Sequence, residues 1–276
     1  MYSTLMVILE LGHDNAGLLG VAGDIAERFG TEVMGVAACE PLKIVYASGN
    51  VPGGIVEMSD AEIKLDVEEA ERQFLSVLGQ RHTRDLTWRA SVTDWTSKFV
   101  LKQARCADLI LMNRITSDDA FEQLRYVSTN DVVMEAGRPV IVLPPLVMNL
   151  VARHIVIGWR DTREARRALV DAMPFLKRAE RVSVLEISQP DCLEEADTNV
   201  AEVANWLRHQ DISAHGQAVP AAGKNITEQL RAIATQESAD LIVTGAYGHS
   251  RFREWVFGGV TQDLLLNSAV PVLMSH

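Results

Sequence analysis

Four glycines fall within the fifteen residues from Gly245 to Gly259, namely Gly245, Gly248, Gly258 and Gly259, in the spacing Gly-x2-Gly-x9-Gly-Gly. They lie between an apolar run, "DLIVTG", and a helix-patterned run, "VTQDLLLNSA". Residues without a Cβ let the backbone approach an oxyanion closely and adopt left-handed conformations. The N–H groups of a helix N-terminus lack intrahelical partners and carry partial positive charge. A glycine loop opening a helix near Val260 is therefore suited to hold phosphate. Thr261 adds a hydroxyl, and His249, Arg251 and Arg253 add side-chain charge. The same spacing also serves a plainer end, a tight strand–loop–helix connection, and a short glycine pattern does not separate the two.

Few other residues compete as chemistry. His13 and Asp14 follow the first apolar run, but no third group is placed to make a triad with them. The acidic run "EEAERQ" at 68–73 reads as a solvated helix face. Trp255 lies inside the glycine loop, either covering a ligand or anchoring the loop in the core. The chain has no Gly-x-Ser-x-Gly elbow, no His-Glu-x-x-His and no Walker lysine motif. Cys39, Cys106 and Cys192 are odd in number and widely spaced, so they read as plain thiols of a reducing compartment.

The elements that must position the loop follow from composition and periodicity. The chain has 276 residues, 47% of them hydrophobic, which is ample for one large domain or two ordinary ones. A net charge of −11 argues against a nucleic-acid surface. "MYSTLMVILELGHD" lacks a basic leader and is interrupted by Glu10, so it reads as a buried strand. No run approaches a membrane span, and the expectation is a soluble, cytoplasmic protein.

The two halves resemble each other. "CADLILMN" at 106–113 matches "SADLIVTG" at 238–245, and Asp108, Asp131 and Pro139 map onto Asp240, Asp263 and Pro271 at one offset of 132. The opening runs "LMVILELGHD" and "HIVIGWRDT" correspond at an offset nearer 147, which implies about 15 extra residues in the first half, best placed in the Pro/Gly/Ser-bearing 40–60 segment. Both halves alternate buried strands with amphipathic helices. In the second, "REARRALVDAMPFLKRA" reads as one helix and "NITEQLRAIATQE" as another capped by Asn225. In the first, Thr93 or Asp94 is expected to cap the helix in "TDWTSKFVLKQA". The fold class is α/β, with two tandem doubly wound domains, 1–147 and 148–276, each built on a parallel sheet. Ligands of such sheets gather at the C-terminal strand ends.

The pattern "GAYGHSRFREWVFGGVTQDLLLNSAVPVLM", preceded by "SADLIV", resembles the C-terminal signature of the universal stress protein family, Gly-x2-Gly-x9-Gly-(Ser/Thr) before a helix and a Pro-Val strand. The resemblance implies a tandem member with five-stranded parallel sheets of the adenine-nucleotide alpha-hydrolase type. It implies ATP, with or without Mg, held by the loop, with ribose and adenine near the ends of the first two strands. Carried over, Gly245, Gly248 and Gly258 are the signature glycines, with Val260 and Thr261 at the helix start and His249 and Arg251 as charged neighbours. Gly259 stands at the Ser/Thr position and keeps only its backbone N–H. Trp159, Arg160, Asp161 and Thr162 occupy the end of the opening strand, where the family often has Asp-Gly-Ser. Arg160 there either replaces a ribose-side carboxylate, reaches a phosphate, or is an exposed strand-end residue.

In the first half the signature positions become Asn113, Thr116, Tyr126 and Val127, with Thr129 opposite Thr261, so that half is expected not to hold ATP in the family manner. The family's edge pairing implies that "PVIVLP" and "PVLMS" join within one chain as a pseudo-two-fold pair, with a homodimer as a further step. The implied role is regulatory nucleotide binding in a stress response. Nothing supplies an obvious general base, although slow ATP hydrolysis is compatible with the pattern. Two other readings stand beside it. One is a structural or lipid/small-molecule-binding stress protein that has lost ATP. The other is an ATP-pyrophosphatase-like enzyme, which would want a Ser-Gly-Gly-x-Asp-Ser loop that "GHDNAG" and "WRDTREA" do not provide.

Overall fold

The computed structural model describes residues 1–40, 60–93, 95–114, 127–223, 225–246 and 259–276. The first half contributes β1 (Thr4–Ile8), α1 (Ala16–Phe29), β2 (Glu32–Cys39), α2 (Asp60–Leu78), β3 (Leu86–Val92), α3 (Thr96–Ala104), β4 (Leu109–Asn113), α4 (Thr129–Glu135) and β5 (Val140–Leu143). The second contributes β6 (His154–Gly158), α5 (Arg163–Asp171), α6 (Met173–Leu176), β7 (Arg181–Ser188), α7 (Leu193–Arg208), β8 (Ala214–Pro220), α8 (Ile226–Gln236), β9 (Leu241–Gly245), α9 (Gly259–Asn267) and β10 (Val272–Ser275).

The strands form one ten-stranded sheet, ordered β3-β2-β1-β4-β5-β10-β9-β6-β7-β8. Read inwards from either edge it is the same five-stranded parallel half-sheet. The central pair β5–β10 is antiparallel, with Val272 opposite Val142 and Met274 opposite Val140. The expected edge pairing thus occurs within the chain, and it covers two apolar strands that would otherwise present open edges. Central strands such as β4, β5 and β10 are buried almost throughout because helices lie on both faces. One apolar cluster joins the sheet to α1, α2, α5, α6 and α7. The other joins its opposite face to α3, α4, α8 and α9.

The duplication is visible in a repeated bond pattern. The Asp108 carboxylate accepts the N–H groups of Ser3 and Thr4 at 2.7 and 3.1 Å. Asp240 accepts those of Arg153 and His154 at 2.9 and 3.1 Å. Each aspartate therefore clamps the start of its half's first strand to the start of the fourth.

The register corrects the opening-strand offset. Leu5 pairs with Leu109 and Ile155 with Leu241, so with 109 + 132 = 241 the offset is 155 − 5 = 150. The first half thus carries 150 − 132 = 18 net extra residues between these strands. The surplus lies between β2 and β3: Val33 to Leu86 spans 53 positions, whereas Val182 to Ala214 spans 32. Residues 41–59 of that segment lie outside the described ones. Two local expectations also change. The helix from Arg163 breaks at Ala172, because Pro174 has no N–H for the carbonyl four residues back and its ring crowds that turn. Thr93 does not cap α3; its hydroxyl accepts from Trp95, which is itself the capping position and makes no side-chain cap bond. Asp94 lies outside the described residues. Asn225 does cap α8, accepting the N–H of Thr227 at 3.1 Å.

Candidate functional site

The second half-sheet has its topological switch between β6 and β9. The chain leaving β6 enters α5 on one face of the sheet, and the chain after β9 reaches α9 on the other. The strand ends beside such a switch are the place where doubly wound sheets hold ligands. Across the switch the Thr244 hydroxyl approaches the Gly158 carbonyl at 3.3 Å.

Gly245 closes β9 beneath the first turn of α5. A Cβ on it would stand 2.5 Å from the Ala165 nitrogen and 2.6 Å from the Glu164 carbonyl carbon. This glycine therefore lets helix and strand touch, which is the plainer of the two uses the spacing allowed. Gly259 is different. It opens α9, and beyond its own helix no atom of the described residues lies within 4 Å of where its Cβ would be. Val260 is exposed and Thr261 is buried on the same first turn. Gly248, His249, Arg251, Arg253, Trp255 and Gly258 lie outside the described residues.

At the end of β6 the chain continues one bond beyond the strand, Trp159 donating its N–H to the Leu185 carbonyl at 2.8 Å. The Trp159 ring is buried among the helices of its face, yet its indole N–H has no partner among the described residues. The neighbouring strand supplies Glu186, whose Oε2 is likewise buried and unpartnered. Burial pushes the Glu186 carboxyl up, and Asp161 and Glu195 reinforce this, while Arg160 and a hydrogen bond from Asn199 oppose it. Glu186 is a candidate residue that motif reading did not name. Its signal was a carboxylate on the inward side of the strand "VSVLEIS", in phase with the buried Val182 and Val184.

The remaining strand-end residues have structural employment. Thr162 caps α5, its hydroxyl accepting the Ala165 N–H at 3.2 Å. Asp161 is exposed and pairs with Arg166 at 2.6 Å. Arg160 is exposed, with its charge felt at Glu186. Glu164 is buried and bound by Arg163 at 3.0 Å. The start of α9 is exposed, while the Trp159 indole N–H and one Glu186 oxygen, Oε2, are buried without a partner among the described residues on the face that carries α5.

The corresponding edge of the first half is filled. Ile8, Glu10, Ala38, Met112, Asn113 and the buried Val127 surround a residual cavity of only about 10 Å³, roughly the minimum for one water. Burial raises the Glu10 carboxyl, with His13 and a hydrogen bond from Asn113 opposing. Thr129 is the first residue of α4, after the capping Ser128; Thr116 and Tyr126 lie outside the described residues. His13 and Asp14 are both exposed, and Asp14 accepts the N–H of Ala16, so they form no dyad.

The family model of universal stress proteins matches residues 179–276. Over these residues the chain is similar to a universal stress protein domain. The matched part holds β7 to β10 and the glycine-bearing segment between β9 and α9, and it leaves out β6, the other side of the switch. A universal stress protein from Archaeoglobus fulgidus DSM 4304 has a similar structure, with a TM-score of 0.74 at 14% identity, covering 99% of this chain and 97% of that one. A functionally unknown protein from Pseudomonas aeruginosa PAO1 gives a TM-score of 0.57 at 15% identity, covering 99% and 92%. The cytoplasmic domain of a prokaryotic cation chloride cotransporter gives 0.52 at 9%, covering 99% and 95%. At such identities the likeness is one of fold, and it extends over both halves. No curated protein matches the chain.

Proposed function

We propose that the protein is a tandem universal stress protein, with domains at 1–147 and 148–276, that binds one adenine nucleotide, ATP, in its C-terminal half and acts in the cytoplasm by regulated binding. The observation that carries this reading is the start of α9. Gly259 opens that helix exposed, with none of the other described residues within 4 Å of its Cβ position, beside the β6–β9 switch. Phosphate would lie against the first-turn N–H groups of α9 and the glycines Gly248 and Gly258, with His249, Arg251 and Thr261 around it. The Trp159 indole N–H and Glu186 Oε2, both without a partner among the described residues, would supply a donor and an acceptor for the sugar or base. Arg160, Asp161 and Thr162 form the rim, and Gly245 holds α5 in place beside it.

Two features support a second reading, in which ATP has been lost. Gly259 brings no hydroxyl, and the cavity that the described residues line at the first half's strand ends is only about 10 Å³. Isothermal titration of the full chain with ATP distinguishes the two. One site per chain, weakened at least tenfold by Thr261→Val, supports nucleotide binding. Absence of heat and of protection against thermal unfolding at millimolar ATP supports the second reading.

A further inference from the structure

A cleft of about 680 Å³ lies on the molecule away from both sets of strand ends described above, where the two halves meet. Its size falls within the range of small-molecule sites. The first half supplies the N-terminal starts of β1, β4 and β5, through Tyr2, Asp108, Arg138 and Pro139. The second supplies the last turns of α5 and the α6 turn, from Arg167 to Arg178.

Its floor is apolar and fixed. Tyr2 is buried, donates its hydroxyl to the Asp171 carbonyl at 2.5 Å, and packs on Phe29 and Phe175 with centroids 5.4 and 5.8 Å away. Pro139, Val170, Met173 and Pro174 complete the apolar surface. Its rim is basic. Four cationic side chains, Arg138, Arg167, Lys177 and Arg178, face two carboxylates, Asp108 and Asp171. Both carboxylates are already engaged. Asp108 clamps the Ser3 and Thr4 amides, and Asp171 pairs with Arg167 at 3.0 Å. Arg138 spends one donor on the Arg105 carbonyl, and Arg178 stacks over the Phe29 ring at 4.6 Å. The lining keeps a surplus of two positive charges on a chain whose net charge is −11.

The two halves differ beside this groove. On α1, which holds the place after the first strand that α5 holds in the second half, the connecting segment lies against the helix. The Val147 and Met148 carbonyl oxygens stand 3.0 and 2.9 Å from where Cβ atoms of Gly17 and Gly20 would be. Among the described residues that connector covers the α1 side, whereas α5 lines the cleft.

We propose that this inter-half cleft binds a small amphipathic organic anion, an apolar body carrying one oxyanion head, with the body on Tyr2, Val170 and Met173 and the head between Arg138, Lys177 and Arg178. Guanidinium groups grip an oxyanion through paired N–H donors, and the head here meets two of them. Nothing in this inference depends on nucleotide binding at α9.

The test uses the full chain and the fluorescent sulfonate 8-anilinonaphthalene-1-sulfonate as probe. The expected result is saturable binding of one probe per chain, displaced by decanoate and by decyl phosphate but not by decanol or ATP. Arg138→Gln with Lys177→Gln should weaken probe and decanoate at least tenfold. Lys177→Gln alone, which breaks no protein contact among the described residues, should weaken them severalfold at unchanged thermal stability. Displacement by decanol as readily as by decanoate overturns the anionic head. Unchanged affinity in both variants, competition by ATP, or the absence of a saturable site overturns the location. A head preference between carboxylate and phosphate identifies which oxyanion the cleft takes.

Discussion

Replacing Gly245 by alanine separates the structural use of the signature glycines from their ligand-binding use. The added Cβ would stand 2.5 Å from the Ala165 nitrogen, 2.6 Å from the Glu164 carbonyl carbon and 2.9 Å from the Glu164 Cβ. Two of these are backbone atoms of the α5 first turn, so no side-chain rotation relieves them. To reach ordinary contact at 3.4 Å, α5 must retreat by about 0.9 Å from β9. That retreat loosens Ala165, Ala168 and Leu169, which bury the helix against the sheet. Overpacking of this kind costs about 1–3 kcal/mol. At about 2–4 °C per kcal/mol for a chain of this size, the melting temperature should fall by roughly 2–12 °C. The control is Gly259→Ala, which meets nothing within 4 Å and replaces glycine in a helix, so it should be neutral or stabilising by up to about 1 kcal/mol. Circular dichroism melts of the three proteins decide the matter. Equal stability of Gly245→Ala and the wild type, or an equal loss in Gly259→Ala, would refute the reasoning.

Three further outcomes follow from particular contacts. Gly259→Ser should raise ATP affinity by a few-fold, since it restores a hydroxyl at a solvent-facing helix start, and titration calorimetry reads it directly. Asp240→Ala removes a charged acceptor from the Arg153 and His154 amides and should cost about 2–4 kcal/mol in chemical denaturation, with Asp108→Ala behaving alike. Burial works against the Glu237 charge, but hydrogen bonds from Ser183 and Arg181, together with the charges of Arg181 and His154, outweigh it and hold the carboxyl below its ordinary range. A carboxyl lowered in this way contributes stability above its unfolded pKa and loses it as pH falls through the lower folded value. Glu237→Gln should therefore flatten the acid limb of the stability profile below about pH 4.5, as melts across pH would show.

Much of the fold was legible because its signals are local and periodic. β3 and β5 have the boundaries expected from their apolar runs, and the 132-residue offset reappears between the bounds of β4 and β9 and between those of β5 and β10. The opening-strand offset was misjudged by three residues, since loops of different length follow β1 and β6 and their polar residues align by type without aligning in space. Pro174 was absorbed into a helical pattern because the apolar spacing continues through it. Site residues divided along the same line. Glycine spacing marks where backbone must come close, but it does not say to what. Gly245 meets a helix, whereas Gly259 meets open space. Glu186 and the inter-half cleft were hidden because they depend on which residues distant segments bring together, and no single stretch of sequence encodes that.

The most direct test of the account is the nucleotide content and ATP stoichiometry of the purified full-length protein, by acid extraction with mass spectrometry and by titration. The account predicts one adenine nucleotide per chain, abolished by Gly258→Val and left intact by Val127→Ala in the first half. No extractable nucleotide and no titratable ATP in the wild type would contradict it.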